Sequence, residues 1–200
     1  MLFNLDDIQE APDACEKAKG AKPESKKARE KRVRTQDALK FAIGEINDGE
    51  SIHFVSGALW STHDLVEYIL QQIGPATITA CSWSFSNPGI EKFARLCDKG
   101  LIVESYMLLD WRIHQRASEA ATYMSSNCTA FATTSIHAKV TVLTNDEYAV
   151  AIVGSANWTN NPRIEAGVLT ADRKIAEFHK SWIMDEINKK DPLNLKREET

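Results

Sequence analysis

From residue 51 onward, short apolar runs take turns with segments whose apolar residues recur every three or four positions. This alternation restricts the fold more than any other property of the chain. SIHFVSGAL reads as a strand. THDLVEYILQQIG, with Leu65, Ile69 and Ile73 four apart and Ser61 or Thr62 as its cap, reads as a helix. ATITACSWSF is the next strand, NPGIEKFARLCDKG a helix with proline near its start and glycine after its end, and LIVESYMLLD a further strand. WRIHQRASEAATYMSS continues as a helix and NCTAFATT as a short edge strand. VTVL and YAVAIVG pair around the turn Thr144-Asn145-Asp146-Glu147. DRKIAEFHKSWIMDEINKK closes the pattern as a long helix whose apolar stripe is Ile175, Phe178, Trp182, Ile183 and Ile187. Upstream, Thr35 offers a cap for QDALKFAIGEIND, with Ala38, Phe41, Ala42 and Ile46 near helical spacing. Each helix must bury its stripe on a sheet, so the chain is expected to be an α/β protein with a mixed central sheet and helices on both faces.

With 200 residues the chain is long enough for one substantial core and short for two. Its 43% hydrophobic and 26% charged residues are ordinary for a globular protein. Cys15, Cys81, Cys97 and Cys128 form no C-x-x-C pair, so their spacing offers neither a zinc ribbon nor a redox motif and predicts reduced, mostly buried thiols. MLFNLDDIQE lacks the positive start and apolar core of a secretory signal, and no apolar run reaches the length of a membrane span. A cytoplasmic protein without membrane insertion is expected.

The net charge of −4 is unevenly distributed. Residues 17 to 34 hold nine Lys or Arg against two Glu, whereas residues 36 to 200 hold 15 basic against 21 acidic side chains. Gly20 and Pro23 interrupt the basic segment, so residues 1–34 read as a flexible or partly helical arm and residues 35–200 as the folded domain. Such an arm either tracks a polyanion, nucleic acid or an anionic membrane surface, or is a solvated tail or charged helix.

The chemistry-bearing stretch is IHAKVTVLTNDEYAVAIVGSANWT, residues 136 to 159. On a strand, successive side chains point to opposite faces, so His137 and Lys139 share one face and Ala138 and Val140 the other. The second run ends in Gly154, which lets a backbone or ligand approach closely, and then presents Ser155 and Asn157 as small hydrogen-bonding groups. A phosphate suits this set: Lys139 supplies a point charge, Ser155 and Asn157 neutral hydrogen bonds, and the imidazole of His137 remains for chemistry. Glu165 follows Asn157 by eight residues, in NPRIEAGVL. No cluster of carboxylates or histidines stands at metal-ligand spacing. His53, His63, His114 and His179 have no Lys two residues later, so the pattern occurs once.

In H-x-K followed by G-S-x-N the chain resembles the phospholipase D superfamily, in which H-x-K-x4-D and then G-S-x-N mark each half-site. The resemblance is clearest over residues 136–169 and implies a phospholipase D-like fold. It departs at Thr144, which stands where the family has its aspartate; Asp146 and Glu147 are the nearest acids. Short single-motif members, among them bacterial endonucleases and mitochondrial-surface nuclease-like proteins, pair as homodimers. The resemblance therefore implies a dimer in which two copies of His137 meet. One forms a phosphohistidine and the other acts as general acid and base, with Lys139 and Asn157 on the phosphorane, Glu165 behind the nucleophile, and no cofactor or metal. The implied activity is phosphodiester hydrolysis, with nucleic acid as the expected substrate. The alternatives are a phospholipase D-type lipid hydrolase and a catalytically weak nucleic-acid-binding protein of the same fold.

Other positions carry lesser expectations. In CSWSFSN, residues 81–87, Ser84, Ser86 or Asn87 would stand at the carboxyl edge of the sheet, while Trp83 and Phe85 read as core. Trp158 reads as packing under the loop, with the cleft wall or a base as the functional alternative. His114 and Arg116 should lie on a helix facing water, His53 should be a satisfied core histidine, and Arg163 should meet either a phosphate or a carboxylate.

Overall fold

The computed structural model describes residues 18–21, 30–33, 35–159 and 163–189. Cys15 and most of the 1–34 segment lie outside them. The strands are β1 (Ala18–Ala21), β2 (Glu30–Val33), β3 (Ser51–Val55), β4 (Ala76–Ser82), β5 (Ile102–Asp110), β6 (Ala130–Thr134), β7 (Val140–Thr144), β8 (Ala149–Gly154) and β9 (Ala166–Thr170). The helices are α1 (Thr35–Ala42), α2 (Thr62–Ile73), α3 (Asn87–Asp98), α4 (Ile113–Arg116), α5 (Ser118–Asn127) and α6 (Arg173–Asn188). One mixed sheet of order β2-β1-β3-β9-β8-β7-β4-β5-β6 runs through the molecule. β4, β5 and β6 are parallel, and every other neighbouring pair is antiparallel. Within the basic segment, where an arm was expected, the described pieces β1 and β2 extend the sheet beyond β3.

The expected helical cover of both faces is present, because strand residues alternate between two cores. Ile78, Leu143, Val150, Ile152 and Leu169 point into the larger core, with Leu39, Ile43, Leu65, Ile69, Phe93, Leu96 and Met124 from α1, α2, α3 and α5 and the segment after α1. Cys81, Leu108, Val140, Val142, Ala149 and Ala151 point the other way, against Ala176, Ile183 and Ile187 of α6. β7 is buried along its whole length, its two threonines Thr141 and Thr144 included, as a strand covered on both faces must be. Each fully buried Leu or Ile of these layers contributes roughly 1.5–3 kcal/mol relative to exposure.

Local chemistry sets the helix ends. Ser61 caps α2 in a reciprocal box with Asp64, and the Asp172 carboxylate accepts from the backbone of Lys174 and Ile175 at the start of α6. Lys92 of α3 pairs with both Asp64 and Glu67 of α2, tying the two helices together. Three readings need correction. The single helix predicted for residues 111–126 is two, broken at Ala117, whose φ of −152° and ψ of 64° lie outside the helical region. Ile175 and Phe178 of α6 are exposed, because the face that meets the sheet is Ala176, Ile183 and Ile187. His53 is exposed on β3, and the buried histidine is His63 in the first turn of α2, whose Nδ1 has no partner.

Burial lowers the proton affinity of His63, although Asp64 partly opposes it. As pH falls, the unfolded chain therefore binds a proton near the ordinary histidine value of 6.5 before the folded chain does. The stabilisation is complete above that value and is lost as pH falls through the folded one. His63→Gln should flatten this part of the stability profile: the wild type loses Tm between pH 7 and 5 relative to the variant. A constant Tm difference across that range would show that His63 does not titrate with folding.

Candidate active site

The antiparallel pairing of β7 with β4 places the start of β7 at the same end of the sheet as the carboxyl ends of β4, β5 and β6. The β8 and β9 registers bring Gly154, Ser155 and the residues before β9 to that end as well. Carboxyl edges of open α/β sheets are where such folds bind ligands. His137 and Lys139 lie just before β7, in residues 136–139, and not within the strand as expected. The ladder nevertheless reaches them, since Gly154 N–H donates to the Lys139 carbonyl at 3.2 Å.

The two side chains converge. Lys139 Nζ donates to the His137 carbonyl at 2.6 Å and lies 3.3 Å from each ring nitrogen of His137. His137 is exposed, Lys139 half-buried. Burial pulls the Lys139 ammonium below the ordinary lysine range, and the negative charge of Glu165 opposes the fall. Lys139, Gly154, Ala156 and Glu165 line one cleft whose floor is apolar, with Phe54, Trp60 and Trp158. Cys81 also borders it, but burial pushes its thiol up to about 12, so it is a neutral wall and not a nucleophile. His137 is the nucleophile candidate with access to solvent.

Gly154 opposes Gly167 across β8 and β9. A Cβ at Gly154 would lie 2.9 Å from the Ala166 carbonyl oxygen, and one at Gly167 would lie 2.7 Å from the Phe54 ring. What approaches Gly154 is therefore a neighbouring backbone. This closeness lets Ser155 N–H donate to the Ala166 carbonyl at 3.0 Å and brings the Ser155 hydroxyl onto the Glu165 carboxylate. Glu165 is held further by Ser56, whose N–H donates to the Glu165 carbonyl at 2.7 Å and whose hydroxyl accepts from Glu165 N–H at 3.1 Å. Among the described residues, no hydrogen bond joins Glu165 to His137; within one chain Glu165 orients Ser155 and biases Lys139 electrostatically.

Asn157 is fixed from two sides. Ser82, fully buried at the end of β4, shares its one hydroxyl proton between the Ser84 carbonyl at 2.8 Å and Asn157 Oδ1 at 3.2 Å, and Thr62 at the start of α2 donates to the Asn157 carbonyl at 3.1 Å. With Oδ1 beside Ser82, the amide N–H groups of Asn157 are the part left for an anion. Trp158 packs beneath this loop: it stacks on Phe85 at 5.1 Å, and its Nε1–H donates to Thr141 at 3.3 Å. Packing, the preferred reading, describes it, and its ring also lines the cleft.

Several expectations are relocated. Asp146 stands in the β7–β8 turn at the opposite end of the sheet, where its carbonyl accepts from Arg173, and Thr144 is buried beside it. Five residues of strand separate Thr144 from Lys139, roughly 16 Å. The departure from the family pattern is thus remote from His137 and Lys139. Ser84 contributes its carbonyl to Ser82, Asn87 pairs with Glu119, and Arg163 is exposed. Trp83 is not core: it is half-exposed and meets His137 with ring centres 5.8 Å apart. Ser82, Thr62 and Ser56 were missed, although a serine ending an apolar strand and a threonine starting a helix are signals that a sheet-edge argument can use. Among the described residues, no three His, Cys, Asp or Glu side chains gather in a way that could hold a metal ion. No helix among them is long and apolar enough to cross a membrane.

Two substitutions test this geometry. Gly154→Ala should cost about 1–3 kcal/mol of unfolding free energy, because the β8–β9 approach must open; an unchanged denaturation midpoint would contradict the close contact. Lys139→Met removes a partly buried ammonium whose cost is present in full at neutral pH and is relieved as pH rises toward the ordinary lysine value of 10.5. Its Tm at pH 7 should equal or exceed that of the wild type, and a large drop would give Lys139 a structural role instead. In comparisons with known proteins, no family model matches the chain and no curated protein matches it.

Proposed function

We propose that the protein is a phosphodiesterase of the phospholipase D type, a nuclease that works through a phosphohistidine between two copies of the chain. The observation that carries this reading is the convergence of His137, Lys139, Ser155, Asn157 and Glu165 on one edge of the sheet, from separate segments of the sequence. These residue types in this grouping match the H-x-K and G-S-x-N pattern, and at the carboxyl edge lies a cleft that Lys139 and Glu165 line. Thr144 stands at the far end of β7 from Lys139, which supports the catalytic reading over a binding protein that has lost its activity.

In the first step a neutral ring nitrogen of His137 attacks phosphorus, the P–N bond forms, and the bond to the leaving oxygen breaks. A protonated His137 from a second copy gives its proton to that oxygen. In the second step the same imidazole, now neutral, takes a proton from water, the oxygen attacks phosphorus, and the P–N bond breaks. The added charge on phosphorus is met by Lys139 and the Asn157 amide of both copies, work that metal ions perform in other nucleases. One chain supplies one H-x-K, so the acid and the nucleophile come from different copies, and two-fold pairing is the simplest arrangement that brings them together. Nucleic acid is favoured as substrate by the basic excess of residues 17–34. Part of that segment is β1, whose Lys19 is in register with Val55, next to Ser56 at the site end of β3.

His137→Asn should lower turnover of a generic oligonucleotide by at least about 10³-fold without lowering Tm, since the side chain is exposed. Wild-type cleavage should persist in EDTA, and a labelled substrate should leave an acid-labile phosphoryl group on the wild type alone. Turnover that appears only after Mg2+ is added, or a monomer that is fully active in sedimentation-controlled assays, would falsify this mechanism.

A further inference from the structure

Beside His137, on the wall formed by the ends of β4 and β5, lies an aromatic and guanidinium stack to which the chemistry above gives no role. The guanidinium carbon of Arg116 sits 4.1 Å from the ring centre of Trp83, and Trp83 also meets His137 with the two rings inclined at 62°. Arg112 lies between Trp83 and Trp111, at 5.9 and 5.7 Å from their ring centres. Its charge is already engaged: Nε and Nη2 donate to the two oxygens of the fully buried Asp110 at 2.6 and 3.0 Å. That pair fixes the turn after β5, and Asp110 also accepts from the backbone N–H of Ile136 at 3.4 Å, joining this turn to the segment that carries His137. Arg116 differs. It is exposed, and among the described residues it has no carboxylate within ion-pair distance.

A guanidinium seated 4.1 Å over an indole is held by cation–π attraction, which leaves its N–H donors unspent for the oxygens of a phosphate. Arg116 is thus an anchored and unneutralised cation one indole width from the nucleophile candidate. Resting on the phosphodiesterase reading, we infer that Arg116, held by Trp83, binds the phosphate next to the scissile one, so that the site selects a polynucleotide strand. A glycerophospholipid with a single phosphodiester offers nothing to this group. A nucleic acid presents a second anion one nucleotide away, and the exposed Trp111, 47% accessible, offers a surface on which an unpaired base can stack.

The test compares wild type, Arg116→Ala and Arg116→Lys on a single-stranded oligothymidylate, on bis(4-nitrophenyl) phosphate, which has one phosphate, and on phosphatidylglycerol vesicles. For Arg116→Ala, kcat/KM on the oligonucleotide should fall roughly 10- to 100-fold, and the loss should exceed that on the small diester by about tenfold. The log–log dependence of oligonucleotide binding on salt should become shallower by about 0.7, one phosphate's worth for a single strand. Arg116→Lys, which keeps the charge, should recover most of that slope. Equal losses on both substrates, an unchanged salt slope, or wild-type vesicle hydrolysis that outpaces the oligonucleotide would overturn the assignment. A wild type that cleaves neither diester would instead refute the catalytic reading, and the salt slope of binding would still decide the role of Arg116.

Discussion

β7 is the hinge of the architecture in a literal sense: it is the strand at which a parallel block, β4-β5-β6, meets an antiparallel one, β8-β9-β3. Because β7 runs against β4, its first residues stand beside the last residues of three parallel strands and of β8 and β3. Every polar group of the candidate site sits on a strand end delivered by that single reversal. The burial of β7 on both faces fixes its register, since a slip of one residue would turn Val140 and Val142 from the α6 side toward the opposite core. The position of Lys139 is therefore set by the apolar packing of the strand that follows it together with the Gly154 N–H bond to its carbonyl.

The same arrangement settles the electrostatics. A lysine that borders an apolar cleft has its ammonium disfavoured by lost hydration, and Glu165 answers with a field rather than a direct ion pair. The cleft keeps a cation ready while the carboxylate is occupied by Ser155. On the proposed reading, an anion beside Lys139 would meet a charge that the protein compensates only in part.

Much of this was legible in the residues. The β–α alternation, the β7–β8 pair, the capped α2, and the group His137, Lys139, Ser155 and Asn157 all follow from periodicity, turn chemistry and spacing. What was hidden depended on partners distant in sequence. His53 lies between Ile52 and Phe54 and His63 between Thr62 and Asp64, so local polarity points to the wrong histidine, and only the tertiary placement of β3 and α2 decides which is buried. Ala117 looks like a good helical residue, yet the chain turns there so that Ile113 and Ala120 can both reach the core. Ile175 and Phe178 share a periodicity with the true buried face of α6, and a narrow contact with a flat sheet takes only part of a broad stripe. Trp83 reads as core by composition because nothing local announces that Arg116, more than thirty residues later, will cover its face.

Phe85 and Trp158 form a bridge between the loop after β4 and the loop after β8, closed by a hydrogen bond from Ser86 N–H to the Trp158 carbonyl at 3.0 Å and by the tight seat of Gly89 against that carbonyl. The loop that carries Asn157 is consequently stitched into the main core through two large rings. Such a loop has no cheap local opening of its own. Heat should therefore unfold the molecule in one cooperative event, with the loop that carries Asn157 lost together with the surrounding core.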